Sequence, residues 1–165
     1  MNNKDVRYEI KNNNSSLGIE ILDFDYNDIF DEKRIEELRN QWLKYSIIIF
    51  KNLELNHQQL EKFSLAFGDF GDDPYIHPIV GHKNIIEVKR EANEKAQPFG
   101  GSWHSDWSFQ DWPPSATLLH SKIIPPIGGD TFFINTHKAY NDLTDDIKNK
   151  IDSLIVSHSA IRPYA

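Results

Sequence analysis

The 165-residue chain is 39% hydrophobic and 26% charged, the balance of a globular domain able to bury a core. Its formal net charge of -7, without a dense Lys/Arg block, excludes the clustered basic surface that a nucleic-acid partner requires, and the absence of cysteine excludes disulfides and thiolate metal sites. A transition metal would therefore have to be held by His, Asp or Glu.

No stretch has the length of a membrane span, and the N-terminal "MNNKDVRYEIKNNNSSLG" lacks the apolar core of a secretory signal. A cytoplasmic protein with no membrane partner is expected. Asn12 to Ser16 form a polar turn cluster, after which "LGIEILDFD" reads as a short strand. From Asp31 to Tyr45, Ile35, Leu38, Trp42 and Tyr45 recur at helical spacing, with acidic residues in the first turn. "SIIIF" at Ser46 to Phe50 suits a strand covered on both faces.

Asn56 can cap the next helix, with Gln59 at the capping-box position and Leu60, Phe63 and Phe67 as its buried stripe. "GDFGDDP" ends that helix. "NIIEVKR" (84–90), "SWHSDWSF" (102–109), "SATLLHS" (115–121), "DTFFIN" (130–135) and "IVSHSA" (155–160) read as strands, separated by "EANEKAQP", "DWPP" and "PPIGG". Gly128 and Gly129 suit positive φ in the turn before "DTFFIN". A last helix fits "TDDIKNKIDSL", with Thr144 as N-cap and Ile147, Ile151 and Leu154 on one face. The expected class is α+β with a β-rich second half.

On a strand, His104 and Asp106 of "WHSDWSF" share a side, their Cα atoms roughly 6.5 Å apart, so the two side chains can converge on one ion. Two histidines and a carboxylate on one face of an octahedron form the facial triad of non-haem Fe(II) oxygenases. Seven histidines and 25 acidic residues in a chain of this length give about one His-x-Asp/Glu by chance. The pair alone therefore reads first as a strand-end histidine hydrogen-bonded to a nearby aspartate.

Its surroundings carry more information. Trp-His-x-Asp, then Pro113-Pro114, a strand, "PPIGGDT" and an Ala-Tyr helix form an ordered series that closely resembles the taurine dioxygenase-like family of Fe(II)- and 2-oxoglutarate-dependent oxygenases. Weaker resemblance runs N-terminally through "SIIIFKNLELNHQQLEKFSLAFGDF". The resemblance implies that His104 and Asp106 are iron ligands, that the Thr131 hydroxyl helps to hold the 2-oxoglutarate carboxylate, and that His77 contacts an anionic group of the substrate. It further implies Fe(II), 2-oxoglutarate and O2 as the reaction's requirements, with hydroxylation of a small organic acid or sulfonate coupled to release of succinate and CO2.

The family fold is a double-stranded β-helix, a clavaminate synthase-like jelly roll. By that resemblance, residues 1–165 are the N-terminal portion of a single catalytic domain, a partial jelly roll with N-terminal helices and with its C-terminal strands missing. The distal histidine ligand and the arginine that pairs with 2-oxoglutarate are not identifiable; Arg162 has the wrong context, and His158 reads as a satisfied core or edge histidine, as does His120. His57, His82 and His137 offer no metal spacing. Trp103, Trp107, Phe109 and Trp112 are expected as wall packing. The chain as it stands is expected to bind iron poorly and to be inactive. The alternative is a non-catalytic relative that completes its sheet by pairing with another chain, as in a homo-oligomer.

Overall fold

The computed structural model of the chain describes residues 9–11, 17–73, 75–95 and 100–161. The expected turn at Asn12 to Ser16, part of the loop before Gly100, and Arg162 lie outside the described residues. The chain divides into two compact units, one of Met1–Leu55 with Ser121–Ile155, the other of Asn56–His120 with Val156–Ala165.

The first unit is organised around a three-stranded sheet, β1 (Glu9–Lys11), β2 (Ile19–Leu22) and β3 (Ile48–Phe50), in that spatial order. β1 runs antiparallel to β2, which places Lys11 opposite Glu20; β3 runs parallel to β2, with Ile19 opposite Ile48 and Ile21 opposite Phe50. A parallel neighbour requires a crossover, and α1 (Glu32–Tyr45) provides it. Asp31 caps α1 by accepting from the Lys33 amide, and Ser46 closes it in the left-handed region (φ 64°). Pleating sends Ile19 and Ile21 to one face, where they meet Phe24, Ile29, Ile35, Leu38 and Leu55 in the core. Ile21 and Leu38 are fully buried, each worth about 1.5–3 kcal/mol relative to exposure.

One strand of this unit was not expected, and one expectation needs correction. β1 had no sequence signal, because a three-residue exposed Glu-Ile-Lys strand has neither an apolar run nor a periodic pattern. β3 is covered on one face only: Ile49 is 45% exposed, because alternation turns it away from the face on which β2 places its core side chains.

The unit also holds two short helices, α3 (Thr136–Asn141) and α4 (Asp145–Ile151). The Tyr140 hydroxyl donates to Asp152 Oδ1 at 2.6 Å, and Lys148 Nζ donates to the Asn141 carbonyl at 2.9 Å. Thr144 stands at the N-cap of α4 without a side-chain capping bond, and the Ile147, Ile151 and Leu154 face is exposed.

In the second unit α2 (His57–Phe67) begins with the expected capping box. Asn56 accepts from the Gln59 amide while Gln59 Oε1 accepts from the Asn56 amide, both at 2.9 Å. Phe63 is its buried anchor.

The strands expected at 84–90, 102–109, 115–121, 130–135 and 155–160 do not form; beyond Phe50 no strand ladder exists among the described residues. A strand needs a partner for its amides and carbonyls, and several of these groups are engaged locally instead. Ile85 donates to the His82 carbonyl and accepts from the Ile79 amide, and the Gln110 amide turns back to the Trp107 carbonyl. Trp107 itself lies at φ 47°, which ends any extended course through "WHSDWSF". Their apolar residues stay open to solvent, Phe132 at 75% and Ile155 at 98%. The β-rich second half is thus overturned, while a sheet combined with helices remains. No described helix is long and apolar enough to cross a membrane.

Candidate metal centre

The loop that follows α2 seats the segment carrying His104 and Asp106. A Cβ added at Gly71 would come within 2.7 Å of Pro114 Cγ, so the missing side chain is what lets the Pro113-Pro114 turn pack there. Beside this contact the Gln110 side-chain amide donates to the Asp72 carbonyl at 2.8 Å, and the Tyr75 and Phe109 rings meet edge to face at 5.6 Å. These contacts fix the C-terminal side of a turn that contains Asp106 and Trp107.

At the start of that turn His104 and Asp106 converge, although not as residues of a strand. His104 Nε2 lies 3.0 Å from Asp106 Oδ1. The other ring nitrogen, Nδ1, is 2.7 Å from the Ser102 carbonyl, which can only accept, so Nδ1 carries a proton. In the neutral ring Nε2 then presents a lone pair directly to a carboxylate oxygen. Two acceptors at that separation require a positive charge between them, either a proton on Nε2 or a bound cation.

The donor set fits a divalent ion. Ligands at about 2.1 Å in adjacent positions of an octahedron stand about 3.0 Å apart. The Ser102 carbonyl supplies the outer hydrogen bond that metal-binding histidines commonly make through their second nitrogen. The remaining carboxylate oxygen, Asp106 Oδ2, accepts from the Thr117 hydroxyl at 2.6 Å. Both side chains of the pair are about half exposed, so the position is open to ions and small molecules. Among the described residues, no group of three or more His, Asp or Glu side chains gathers as a metal site.

Gly100 supports the ring sterically. It lies at φ 67°, and a Cβ there would stand 3.3 Å from His104 Cε1, so glycine satisfies both the backbone and the space beside the imidazole. Trp107 holds a left-handed conformation at a cost of about 1–2 kcal/mol for a non-glycine residue. That conformation turns the chain immediately after Asp106.

Of the other residues singled out in the sequence, His77, Thr131, His120 and His158 make none of the contacts described above. His77 is exposed in the loop after α2, in the same unit as the pair. Thr131 is exposed and belongs to the other unit, following Gly128 (φ 79°) and Gly129 (φ 76°), which adopt the left-handed conformations expected of them. His158 Nδ1 is 2.7 Å from Ser108 Oγ, and His120 is half-buried. The expected aromatic wall is only partly present: Trp107 and Phe109 are half-buried, whereas Trp103 and Trp112 are 69% and 91% exposed. No described layer covers these last two rings.

Sequence reasoning missed Gly100, Thr117 and a second histidine–carboxylate pair. His82 Nδ1 lies 3.0 Å from Glu61 Oε2 on α2, and the His57 and His82 rings meet edge to face at 5.0 Å. None of these contacts has a short-range sequence signal, since the partners are brought together by turns. The pKa of Lys89 is raised by its hydrogen bond to Glu91, and that of Tyr140 by its hydrogen bond to Asp152.

Comparison with known proteins identifies the lineage. Residues 9–165 match the Taurine catabolism dioxygenase TauD, TfdA family. The chain belongs to that family. An alkylsulfatase of Acinetobacter baylyi is 29% identical over 144 residues, 87% of this chain and 44% of the relative. An alpha-ketoglutarate-dependent sulfate ester dioxygenase of Pseudomonas putida is 27% identical over 150 residues, 90% of this chain and 48% of the relative. The crystal structure of a taurine dioxygenase from Burkholderia xenovorans superposes with a TM-score of 0.74 at 26% identity, over 90% of this chain and 52% of that one. The chain spans about half the length of the curated relatives it matches.

Proposed function

We propose that this TauD/TfdA-family chain carries two of the iron donors, His104 Nε2 and Asp106 Oδ1, of a 2-oxoglutarate-dependent dioxygenase. The observation that supports this reading is the 3.0 Å approach of Nε2 to a carboxylate oxygen while Nδ1 is committed to the Ser102 carbonyl. That arrangement leaves a lone pair and a negative charge facing one point. Family membership supports Fe(II) as the ion and 2-oxoglutarate as the co-substrate.

Bound iron supplies the redox centre for the reaction of O2, 2-oxoglutarate and a substrate C–H group to succinate, CO2 and a hydroxylated product. One oxygen atom enters succinate and the other the product, so the reaction balances without a further reductant. The chain's own residues hold and orient. His104 and Asp106 bind the ion, Thr131 contributes a hydroxyl to the co-substrate carboxylate, and His77 offers a donor to an anionic substrate.

The substrate class proposed is a small organic acid or sulfonate, in keeping with the sulfate-ester substrate named for the Pseudomonas putida relative. The fold reading that goes with this function is part of a jelly roll, in a protein acting in the cytoplasm. Exposed Phe132, Phe133 and Ile134 favour a second reading, a module that assembles with another chain through unpaired backbone.

Anaerobic addition of Fe(II) and 2-oxoglutarate, to the chain extended to the length of its relatives, tests the proposal. A weak visible charge-transfer band is expected, and it should disappear in His104→Ala. A band that survives unchanged in that variant removes the assignment. A concentration-dependent increase in mass, with no metal-dependent spectrum, supports the assembly reading instead.

A further inference from the structure

We infer that Thr117 is a positioning residue for the metal centre, holding Asp106 so that only one of its carboxylate oxygens is presented beside His104 Nε2. The inference rests on the reading of His104 and Asp106 as metal donors. The torsion that orients a carboxylate is broad and roughly two-fold, so an aspartate left to itself offers either oxygen, or both at once. The Thr117 hydroxyl removes that equivalence. It donates to Oδ2 at 2.6 Å, leaving Oδ1 as the oxygen that lies 3.0 Å from His104 Nε2.

Several features suit Thr117 to this role. It stands eleven residues beyond Asp106, past the Pro113-Pro114 turn seated on Gly71, so its position is fixed independently of the loop it steadies. Its β-branched side chain has restricted χ1 freedom, which keeps the hydroxyl where the backbone puts it. The Ser102 carbonyl acts in parallel on the other donor by fixing which imidazole nitrogen is protonated. Each donor residue thus has one atom engaged by the protein and one atom facing the common point. A singly bound carboxylate leaves more of the ion's coordination positions open to small molecules than a doubly bound one.

The Thr117–Asp106 bond is exposed to solvent, so water can replace the hydroxyl with little effect on folding. This separates positioning from general stabilisation. Co(II) should be titrated under nitrogen into the wild-type protein, Thr117→Val, Thr117→Ser and His104→Ala, following the paramagnetic shifts of the His104 ring and, in His104→Ala, of neighbouring residues. The expected result is a roughly 10-fold or greater weakening in Thr117→Val, the range seen when outer-shell partners of metal ligands are removed. Thr117→Ser, which keeps the hydroxyl, should restore affinity, and the melting temperatures of both variants should match wild type.

The inference is overturned if His104→Ala loses Co(II) while Thr117→Val binds like wild type; the metal reading then stands without it. It is equally overturned if Thr117→Ser binds as weakly as Thr117→Val, or if Thr117→Val loses affinity only in proportion to a lowered melting temperature. Co(II) binding unchanged in His104→Ala removes the underlying metal reading as well.

Discussion

Among its described residues the second unit contains two histidine–carboxylate pairs at the same 3.0 Å separation, and their chemistry differs because of one backbone carbonyl. In the His82–Glu61 pair it is Nδ1 that faces the carboxylate, so a neutral ring can place its single proton there and make an ordinary hydrogen bond. In the His104–Asp106 pair the Nδ1 proton is already used by the Ser102 carbonyl, and the nitrogen that faces the carboxylate is the bare one. The first pair is complete without a ligand. The second needs a positive charge between its two acceptors, a proton or a bound cation. Burial points the same way: the side chains of the first pair are 20% and 23% exposed, those of the second 50% and 44%. Separation alone therefore does not distinguish the two pairs; the partner of the second ring nitrogen does.

The sharpest way to break this comparison is to remove each histidine in turn. His104→Ala should abolish the Co(II)-induced shifts of neighbouring residues, whereas His82→Ala should leave Co(II) affinity unchanged. Paramagnetic NMR on both variants checks this, and equal losses would mean that the tautomer argument does not select between the pairs.

What the sequence made legible follows from the range of the interactions involved. The capping box of α2 and the amphipathic face of α1 were readable because their partners lie within one or two helical turns, as Asn56 and Gln59 show. His104 and Asp106 were readable as a pair because only one residue intervenes, and the family resemblance gave their chemistry. The expected strands were misread for a related reason. Apolar content gave "DTFFIN" and "SATLLHS" the appearance of strands, but a ladder needs a second segment in register, and none is supplied by the described residues. Thr117, Gly100 and the Glu61 partner of His82 were invisible because a fold, and not a spacing, brings them to their partners.

Gly100 sharpens the comparison through sterics alone. An alanine there would carry a Cβ 3.3 Å from His104 Cε1 on a backbone at φ 67°, and no such constraint applies to the His82 ring. Gly100→Ala should destabilise the protein by about 1 kcal/mol, from the left-handed conformation, and should lower Co(II) affinity by displacing the imidazole. Thermal melts combined with Co(II) titration separate the two effects. An affinity equal to wild type would show that the ring tolerates the crowding and that Gly100 serves the backbone only.

The smallest effect should come from the pair that is complete by itself. Glu61→Gln keeps the size of the side chain and retains a carbonyl oxygen to accept from His82 Nδ1, so the hydrogen bond survives while its charge is lost. Partly exposed ion pairs contribute up to about 1 kcal/mol, and the change should stay within that. Urea melts should show a slightly lowered midpoint with an unchanged slope, and Co(II) affinity should not move. A large loss of metal binding in Glu61→Gln would mean that the α2 pair and the His104 turn are energetically coupled. The two pairs would then have to be treated as one network instead of as a structural contact and a separate binding site.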